Sequence, residues 1–232
     1  LNNFDDYQRA FISNISHDFR SPLTSIHGYA QAMLDGTIPY EAQEKYLNII
    51  LSETDRLTNL TSNLLELNSF NGDNVLLDIT TFNICETIIQ TVNTLEGTAA
   101  KREISFVLDF NTQKELLVEA DESKIHQVLY NLIDNAVKFS YNNSEIKISL
   151  RKKGTKVFVS VKDSGIGIPK ESVNKVFDRF YKTDISRGKD KRGTGLGLSI
   201  SKEIIQAHNQ TINVVSTVGV GTEFVFTLKY HS

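Results

Sequence analysis

His17 and Asp18 stand side by side in the stretch Ser16-His17-Asp18-Phe19-Arg20-Ser21-Pro22-Leu23. An imidazole beside a carboxylate can serve as a nucleophile with its own orienting partner. Alone, such a pair is more often a solvated feature of a helix surface. What raises it above that reading is a set of four clusters more than a hundred residues later.

The first cluster is Asn131-Leu132-Ile133-Asp134-Asn135-Ala136-Val137-Lys138-Phe139. Asn131 and Asn135 are one helical turn apart and share a face, with Lys138 near it. Amide side chains on an apolar helix need hydrogen-bond partners or a ligand, and amide oxygens suit a hard cation such as Mg²⁺. A solvent-facing polar stripe is the even alternative. The second cluster, Asp163-Ser164-Gly165-Ile166-Gly167-Ile168-Pro169, follows an apolar run that reads as a strand. Its glycines let backbone approach a flat ligand, and a carboxylate at a strand end can accept a hydrogen bond from an adenine amino group. An ordinary Asp-Ser-Gly turn is the alternative.

The third cluster, Arg192-Gly193-Thr194-Gly195-Leu196-Gly197-Leu198-Ser199, leads into a helix. Exposed backbone N–H groups and a helix N-terminus make a phosphate cradle. The spacing is neither the Rossmann pattern nor a P-loop. Between the second and third lie Phe177-Asp178-Arg179-Phe180-Tyr181 and then Lys182–Arg192, with five basic residues against two acidic ones. That segment reads as a lid over a triphosphate or as a solvated charged loop. The fourth cluster, Gly219-Val220-Gly221-Thr222, reads as a β-turn.

These residues need a frame. Apolar residues Phe11, Ile15, Phe19, Leu23, Ile26, Ala30 and Met33 recur at threes and fours, predicting a helix over Phe4–Asp35. Pro22 interrupts it near His17 and is expected to kink it. Gly36-Thr37-Ile38-Pro39 stops it, and a second helix runs over Tyr40–Phe70 with a stripe of Leu57, Leu60, Leu64 and Leu67. Two such helices in an antiparallel hairpin leave half of each apolar face uncovered, and a second copy would complete a dimeric four-helix bundle; a monomeric hairpin packed on the following domain, or one completed by further residues, is the alternative. Asn71-Gly72-Asp73-Asn74 marks the boundary, giving domains 1–72 and 73–232. After it, strands are expected at Leu76–Thr81, Ile104–Phe110, Leu117–Glu119, Glu145–Arg151, Lys156–Lys162, Ile212–Val215 and Glu223–Leu228. Helices are expected at Asn83–Lys101, Asp121–Phe139, Lys170–Phe177 and Leu196–His208. Irregular mixing of the two kinds predicts an α+β chain whose second domain is an α/β sandwich, one mixed sheet with helices on one face.

The 232 residues are 40% hydrophobic and 23% charged with net charge −3, which gives no electrostatic footprint for nucleic acid. One cysteine, Cys85, excludes an internal disulfide and a multi-cysteine zinc site. No apolar run approaches the ~20 residues of a membrane span. A first residue of Leu1 rather than Met suggests an excised fragment.

In this order the motifs resemble the cytoplasmic core of a two-component sensor histidine kinase, over nearly the whole sequence. Ser16–Leu23 is similar to the family's H box, Asn131–Phe139 to its N box and Asp163–Pro169 to its G1 box. Phe177–Tyr181 is similar to the F box, Gly193–Leu198 to the G2 box and Gly219–Thr222 to the last glycine motif. The resemblance implies a dimerisation and phosphoacceptor domain followed by the Bergerat (GHKL-type) ATP-binding fold shared with gyrase-type ATPases. It implies ATP and Mg²⁺ as cofactors, with Asn135, and Asn131 nearby, at the metal. Asp163 would read the adenine amino group while Phe139 and Ile168 pack on the ring. Lys138 and the amides around Gly195 and Gly197 would meet phosphates. Gly165, Gly167, Arg187, Gly193, Thr194, Leu196, Leu198 and Thr222 complete the implied nucleotide site. His17 would take the γ-phosphoryl group on Nε2, with Asp18 holding the Nδ1 proton, and pass it to an aspartate of a response-regulator receiver domain. The parent protein would be a membrane-anchored homodimer with this part in the cytoplasm.

Where hydrolytic relatives carry a glutamate this chain has Asn131, an amide that cannot take a proton from water. Asp18 replaces the family's commoner glutamate and Phe19 a usual leucine. Ser21 replaces a threonine or asparagine that orients a water for dephosphorylating the regulator, and it keeps a hydroxyl for that role. Arg192 replaces a frequent glycine, and Asn209-Gln210 a frequent Gly-Gly; Asn tolerates the left-handed conformation at a helix end.

Overall fold

The computed structural model describes residues 2–69, 76–110, 115–183 and 193–231. The expected boundary at Asn71–Asn74, Arg187 and most of the expected Lys182–Arg192 lid lie outside them. The chain divides into two compact units, Leu1–Asn68 and Ser69–Ser232.

The first unit is a helical hairpin. Helix α1 spans Asn2–Leu34 and contains Pro22; α2 spans Gln43–Ser69. The expected start of the second helix at Tyr40 is corrected: Tyr40–Ala42 form a separate 3₁₀ turn, set off by Pro39, whose fixed φ suits the residue before a helical turn. The link is tight, with the Ile38 amide donating to the Ala32 carbonyl at 2.8 Å and Gly36 at φ +76. Tyr29 of α1 and Tyr46 of α2 bring their rings to 5.1 Å. Leu60 and Leu67, two members of the predicted stripe, are buried on α2; Pro22 of α1 and Ile38 of the link are buried too. Among the described residues no helix is long and apolar enough to cross a membrane.

Among the described residues, the second unit is a seven-stranded mixed sheet with helices. Its elements are β1 (Thr80–Asn83), α3 (Ile84–Ala100), β2 (Ser105–Asp109), β3 (Leu117–Ala120), α4 (Glu122–Phe139), β4 (Glu145–Lys153), β5 (Lys156–Lys162), α5 (Lys170–Val173), α6 (Gly197–Ala207), β6 (Ile212–Thr217) and β7 (Gly221–Tyr230). Strand order is β1-β3-β7-β5-β4-β2, with β6 also on β7. Only β2 and β4 run parallel among these pairs.

Register makes the core. Ile148 faces Val161, which faces Phe224; Leu150 faces Val159, which faces Phe226. All six are buried, because period-two alternation puts every second residue on one face. That face meets the buried stripes of α4, which lies between α3 and α6. The stripes include Ile125, Leu129, Leu132 and Ile133 of α4, Ile84 and Ile88 of α3, and Ile200 and Ile204 of α6.

In the second unit two boundaries differ from expectation by more than two residues. The first strand begins at Thr80 rather than Leu76: pairing with β3 starts at Thr80↔Ala120, and Leu76 is 96% exposed. The short helix stops at Val173, and turns continue to Phe180. Asn209 takes φ +56 after α6, and the Gln210 amide reaches back to the Ile205 carbonyl, a left-handed helix stop without glycine.

Candidate functional site

Two local arrangements carry chemistry, one in each unit. On α1, the His17 side chain is 83% exposed, with Nδ1 3.3 Å from Oδ1 of the half-buried Asp18. Donation of an Nδ1 proton to Asp18 leaves Nε2 as the ring atom with a free lone pair. Pro22 has no N–H to offer the Asp18 carbonyl one turn earlier. Ser21 is exposed one turn beyond His17.

In the second unit the site forms where α4, the segment after β5 and the start of α6 converge. Helix α4 begins at Asp121, whose Oδ1 caps the Lys124 amide at 3.1 Å. Its apolar stripe fixes the rotation of the helix, which leaves Asn131, Asn135 and Phe139 half-buried and Lys138 exposed. Asn131 donates Nδ2 to the Gly197 carbonyl at 3.1 Å and to Ser201 Oγ at 3.4 Å. This leaves Oδ1 as its acceptor. Lys138 Nζ forms an ion pair with Asp134 Oδ2 at 2.7 Å.

Asp163 is buried just past the end of β5. Its Oδ1 accepts the Gly165 amide at 2.9 Å and the Thr222 amide at 3.2 Å. Among the described residues nothing donates to Oδ2. Burial pushes the carboxyl up to about 6, with the Thr222 and Gly165 amides opposing the rise. Gly165 is required by contact: a Cβ there would run into the Phe139 carbonyl oxygen. That carbonyl accepts the Ile166 amide at 3.2 Å, so the end of α4 and the 163–168 segment are held edge to edge. Gly167 is buried and Ile168 half-buried, with the Ile168 amide donating to Ser216 Oγ at 2.8 Å.

Across the site, Gly193, Thr194 and Gly195 lead into α6. Thr194 Oγ1 accepts the Leu196 amide at 3.3 Å, and the Gly195 carbonyl accepts the Phe180 amide at 3.0 Å. Gly195 has φ +71, a conformation that disfavours side chains, and an added Cβ would sit 2.9 Å from Phe180 backbone. Leu196 is buried as the residue before α6, Gly197 opens the helix, and Leu198 is half-buried beside it.

Sequence reading missed three supports. Ser216 Oγ accepts the Ile168 amide, donates to the Gly221 carbonyl at 2.9 Å and lies 2.8 Å from Thr222 Oγ1. Arg179 pairs with Glu203 of α6 at 3.2 Å, tying the turn before the expected lid to the cradle helix. Ser201 completes the Asn131 contact. Each joins positions distant in sequence through side chains of common type, and no local signal marks them.

The donor set suits a hard cation held by amide oxygens, phosphate oxygens and water rather than by a protein cage. Among the described residues no group of three or more His, Cys, Asp or Glu side chains is placed to hold a metal.

A mixed sheet with this strand-end carboxylate, amide-bearing helix and glycine cradle has the frame of a nucleotide-binding domain, preceded by a helical hairpin. Residues 120–232 match the family of histidine kinase-, DNA gyrase B- and HSP90-like ATPases, and residues 7–72 match the His Kinase A (phospho-acceptor) domain. The sensor histidine kinase WalK of Bacillus subtilis (strain 168) is 36% identical over 231 residues, covering 97% of this chain and 37% of that protein. The chain thus spans little more than a third of this relative. The solved catalytic domain of histidine kinase ThkA is 37% identical over 66% of this chain and 95% of its own, with a TM-score of 0.59. The solved structure of ThkA in complex with response regulator protein TrrA is 32% identical over 96% of this chain and 61% of its own, with a TM-score of 0.77. The chain belongs to the histidine kinase family.

Proposed function

We propose that this chain is the core of an ATP-dependent histidine autokinase in a two-component system, with a phosphoacceptor domain over 1–72 and a catalytic domain over 73–232. The observation that carries the reading is the exposed imidazole of His17, oriented through Nδ1 by Asp18, in a chain that also has the nucleotide site. Adenine enters against Phe139 and Ile168, its amino group donating to Oδ2 of Asp163. Lys138, Thr222 and the Gly193–Leu198 amides serve the rest of the nucleotide, and Arg187 is assigned to the phosphates by the family resemblance alone. Asn135, with Asn131 nearby, would hold Mg²⁺, which supplies charge neutralisation at the phosphates.

The Nε2 lone pair attacks the γ-phosphorus as the bond to the β–γ bridging oxygen breaks, and ADP leaves with those electrons. Asp18 holds the Nδ1 proton and offsets the positive charge that develops on the ring. An aspartate oxygen of a response-regulator receiver domain then displaces the imidazole, and His17 is regenerated. In a separate reaction, hydrolysis of the regulator's aspartyl phosphate, the exposed hydroxyl of Ser21 would orient the attacking water.

The hairpin acts as a homodimer. Ile12, Leu23 and Leu34 are exposed and recur every eleven residues, or three turns, along α1; Leu47, Leu51 and Leu65 are exposed on α2. A second copy would cover both stripes.

The test is incubation with γ-labelled ATP and Mg²⁺. Acid-labile, alkali-stable label on the protein, absent from His17→Gln, is the expected result. Steady phosphate release with no labelled protein would replace the kinase reading with an ATPase, and absence of nucleotide binding would end both.

A further inference from the structure

The guanidinium of Arg102 closes the far end of α4. Arg102 lies in the turn between α3 and β2. The last carbonyls of an α-helix have no partner within the helix, and that end carries negative potential. Here Nη1 donates to the Val137 carbonyl and, at 3.0 Å, to that of Lys138; Nη2 donates to the Ser140 carbonyl at 2.7 Å. Nε donates to Asn142 Oδ1 at 3.1 Å, and the Arg102 carbonyl accepts the Asn143 amide at 3.1 Å. One planar fork therefore holds three carbonyls at the exit of the helix, a geometry that a lysine ammonium cannot reproduce.

The same few residues build the base side of the nucleotide site. The Phe139 carbonyl accepts the Ile166 amide, the Tyr141 amide donates to the Ser164 carbonyl at 3.4 Å, and Ser140 bridges to Gly165. The Ser140 hydroxyl is buried and makes no hydrogen bond among the described residues, so the backbone ties of this residue hold it in place. Arg102 grips the strip 137–142 from one side, and the 163–168 segment leans on it from the other. The phosphate cradle at Gly193–Leu198 receives none of the Arg102 contacts given above.

We infer that Arg102 is a positioning residue for the adenine end of the site: its fork fixes where Phe139 and the Asp163 loop stand relative to each other. The inference rests on the nucleotide reading above. Its test is calorimetric titration of the chain with ADP and with ATP, each with Mg²⁺, for wild type, Arg102→Lys and Arg102→Gln, below the unfolding temperature. Arg102→Gln is expected to weaken both nucleotides by the same factor, about tenfold, at unchanged stoichiometry, because the γ-phosphate end is untouched. Arg102→Lys, which keeps the charge but not the fork, is expected to recover part of that loss. Hydrogen exchange at the Tyr141 and Ile166 amides is expected to quicken in both variants.

A stability role alone would lower the stoichiometry and leave the dissociation constant in place, and that result would overturn the inference. So would dissociation constants within about twofold of wild type in both variants. Should Arg102→Gln not fold, Arg102→Lys carries the same test. A wild type that binds neither nucleotide removes the kinase reading and this inference with it; a wild type that binds, with variants that match it, removes the inference alone.

Discussion

Oδ1 of Asp163 accepts the backbone amide of Thr222 at 3.2 Å, across 59 positions of sequence. It shares that oxygen with the Gly165 amide. Both donors on one oxygen leave the other for a ligand, while burial, against the lowering effect of the two amides, pushes the carboxyl up to about 6 from an ordinary value of 3.8. The folded state thus binds this proton more tightly than the unfolded chain. Its contribution to stability falls as pH rises from about 4 to about 6 and is flat above that. Nucleotide affinity runs the other way, since an ionised Oδ2 is the better acceptor. Asp163→Asn should flatten both profiles. At pH 7 it should stabilise the fold by on the order of 2 kcal/mol, because Asn Oδ1 still accepts both amides. It should weaken ADP binding by tenfold or more, roughly, as an NH₂ would face the adenine amino group. Thermal melts and ADP titrations from pH 5 to 8 check this; a destabilised variant with intact binding would contradict it.

Two glycines predict opposite outcomes for the same change. A Cβ at Gly165 would strike the Phe139 carbonyl oxygen, whereas one at Gly97, inside α3, meets nothing within 4 Å. Gly165→Ala has to push apart the end of α4 and the Asp163 loop, with an expected loss of more than about 2 kcal/mol and of ADP binding. Gly97→Ala should gain about 0.5–1 kcal/mol from helix propensity and leave ADP binding alone. Denaturant unfolding of the two variants beside wild type measures both.

Why the sequence foretold so much of this site is visible in α4. Its apolar residues recur at helical spacing, so Asn131 and Asn135 had to share a face, and Asp121 marks its start as an N-cap. The turn residues after β5 likewise announce where backbone must come close. The first strand was misplaced because Leu76 and Ile79 look like strand residues yet stand 96% and 51% exposed. What decides β1 is its pairing with β3, a partner 40 residues away at Thr80↔Ala120. Arg102, Ser216 and Glu203 escaped for the same reason. A surface arginine, serine or glutamate has no local pattern, and its role exists only once distant backbone has been brought to it.

The short reach from Asp18 to His17 makes the carboxylate replaceable in shape but not in charge. Asp18→Asn keeps the size of the side chain, yet it no longer offsets charge on the imidazole as Nε2 attacks. The label rate should fall by on the order of 10²-fold while ADP affinity holds, since neither residue belongs to the nucleotide site. Asp18→Glu should retain most of the rate. Equal rates for wild type and Asp18→Asn would remove Asp18 from the chemistry.

Asn131 ties the two walls of the nucleotide site through a donor. Its Nδ2 faces the Gly197 carbonyl at 3.1 Å at the first residue of α6. Asn131→Asp is nearly isosteric, but it sets a carboxylate oxygen against that carbonyl and turns an attraction into a repulsion. The first turn of α6 should draw away from α4, carrying the amides at Gly195 and Gly197 with it. ATP should then bind about tenfold more weakly. Adenosine, which relies on Asp163, Phe139 and Ile168 rather than on the cradle, should bind as it does to wild type. Titrating both ligands into both proteins separates a displaced phosphate cradle from a general loss of the site, since the latter would weaken adenosine as much as ATP.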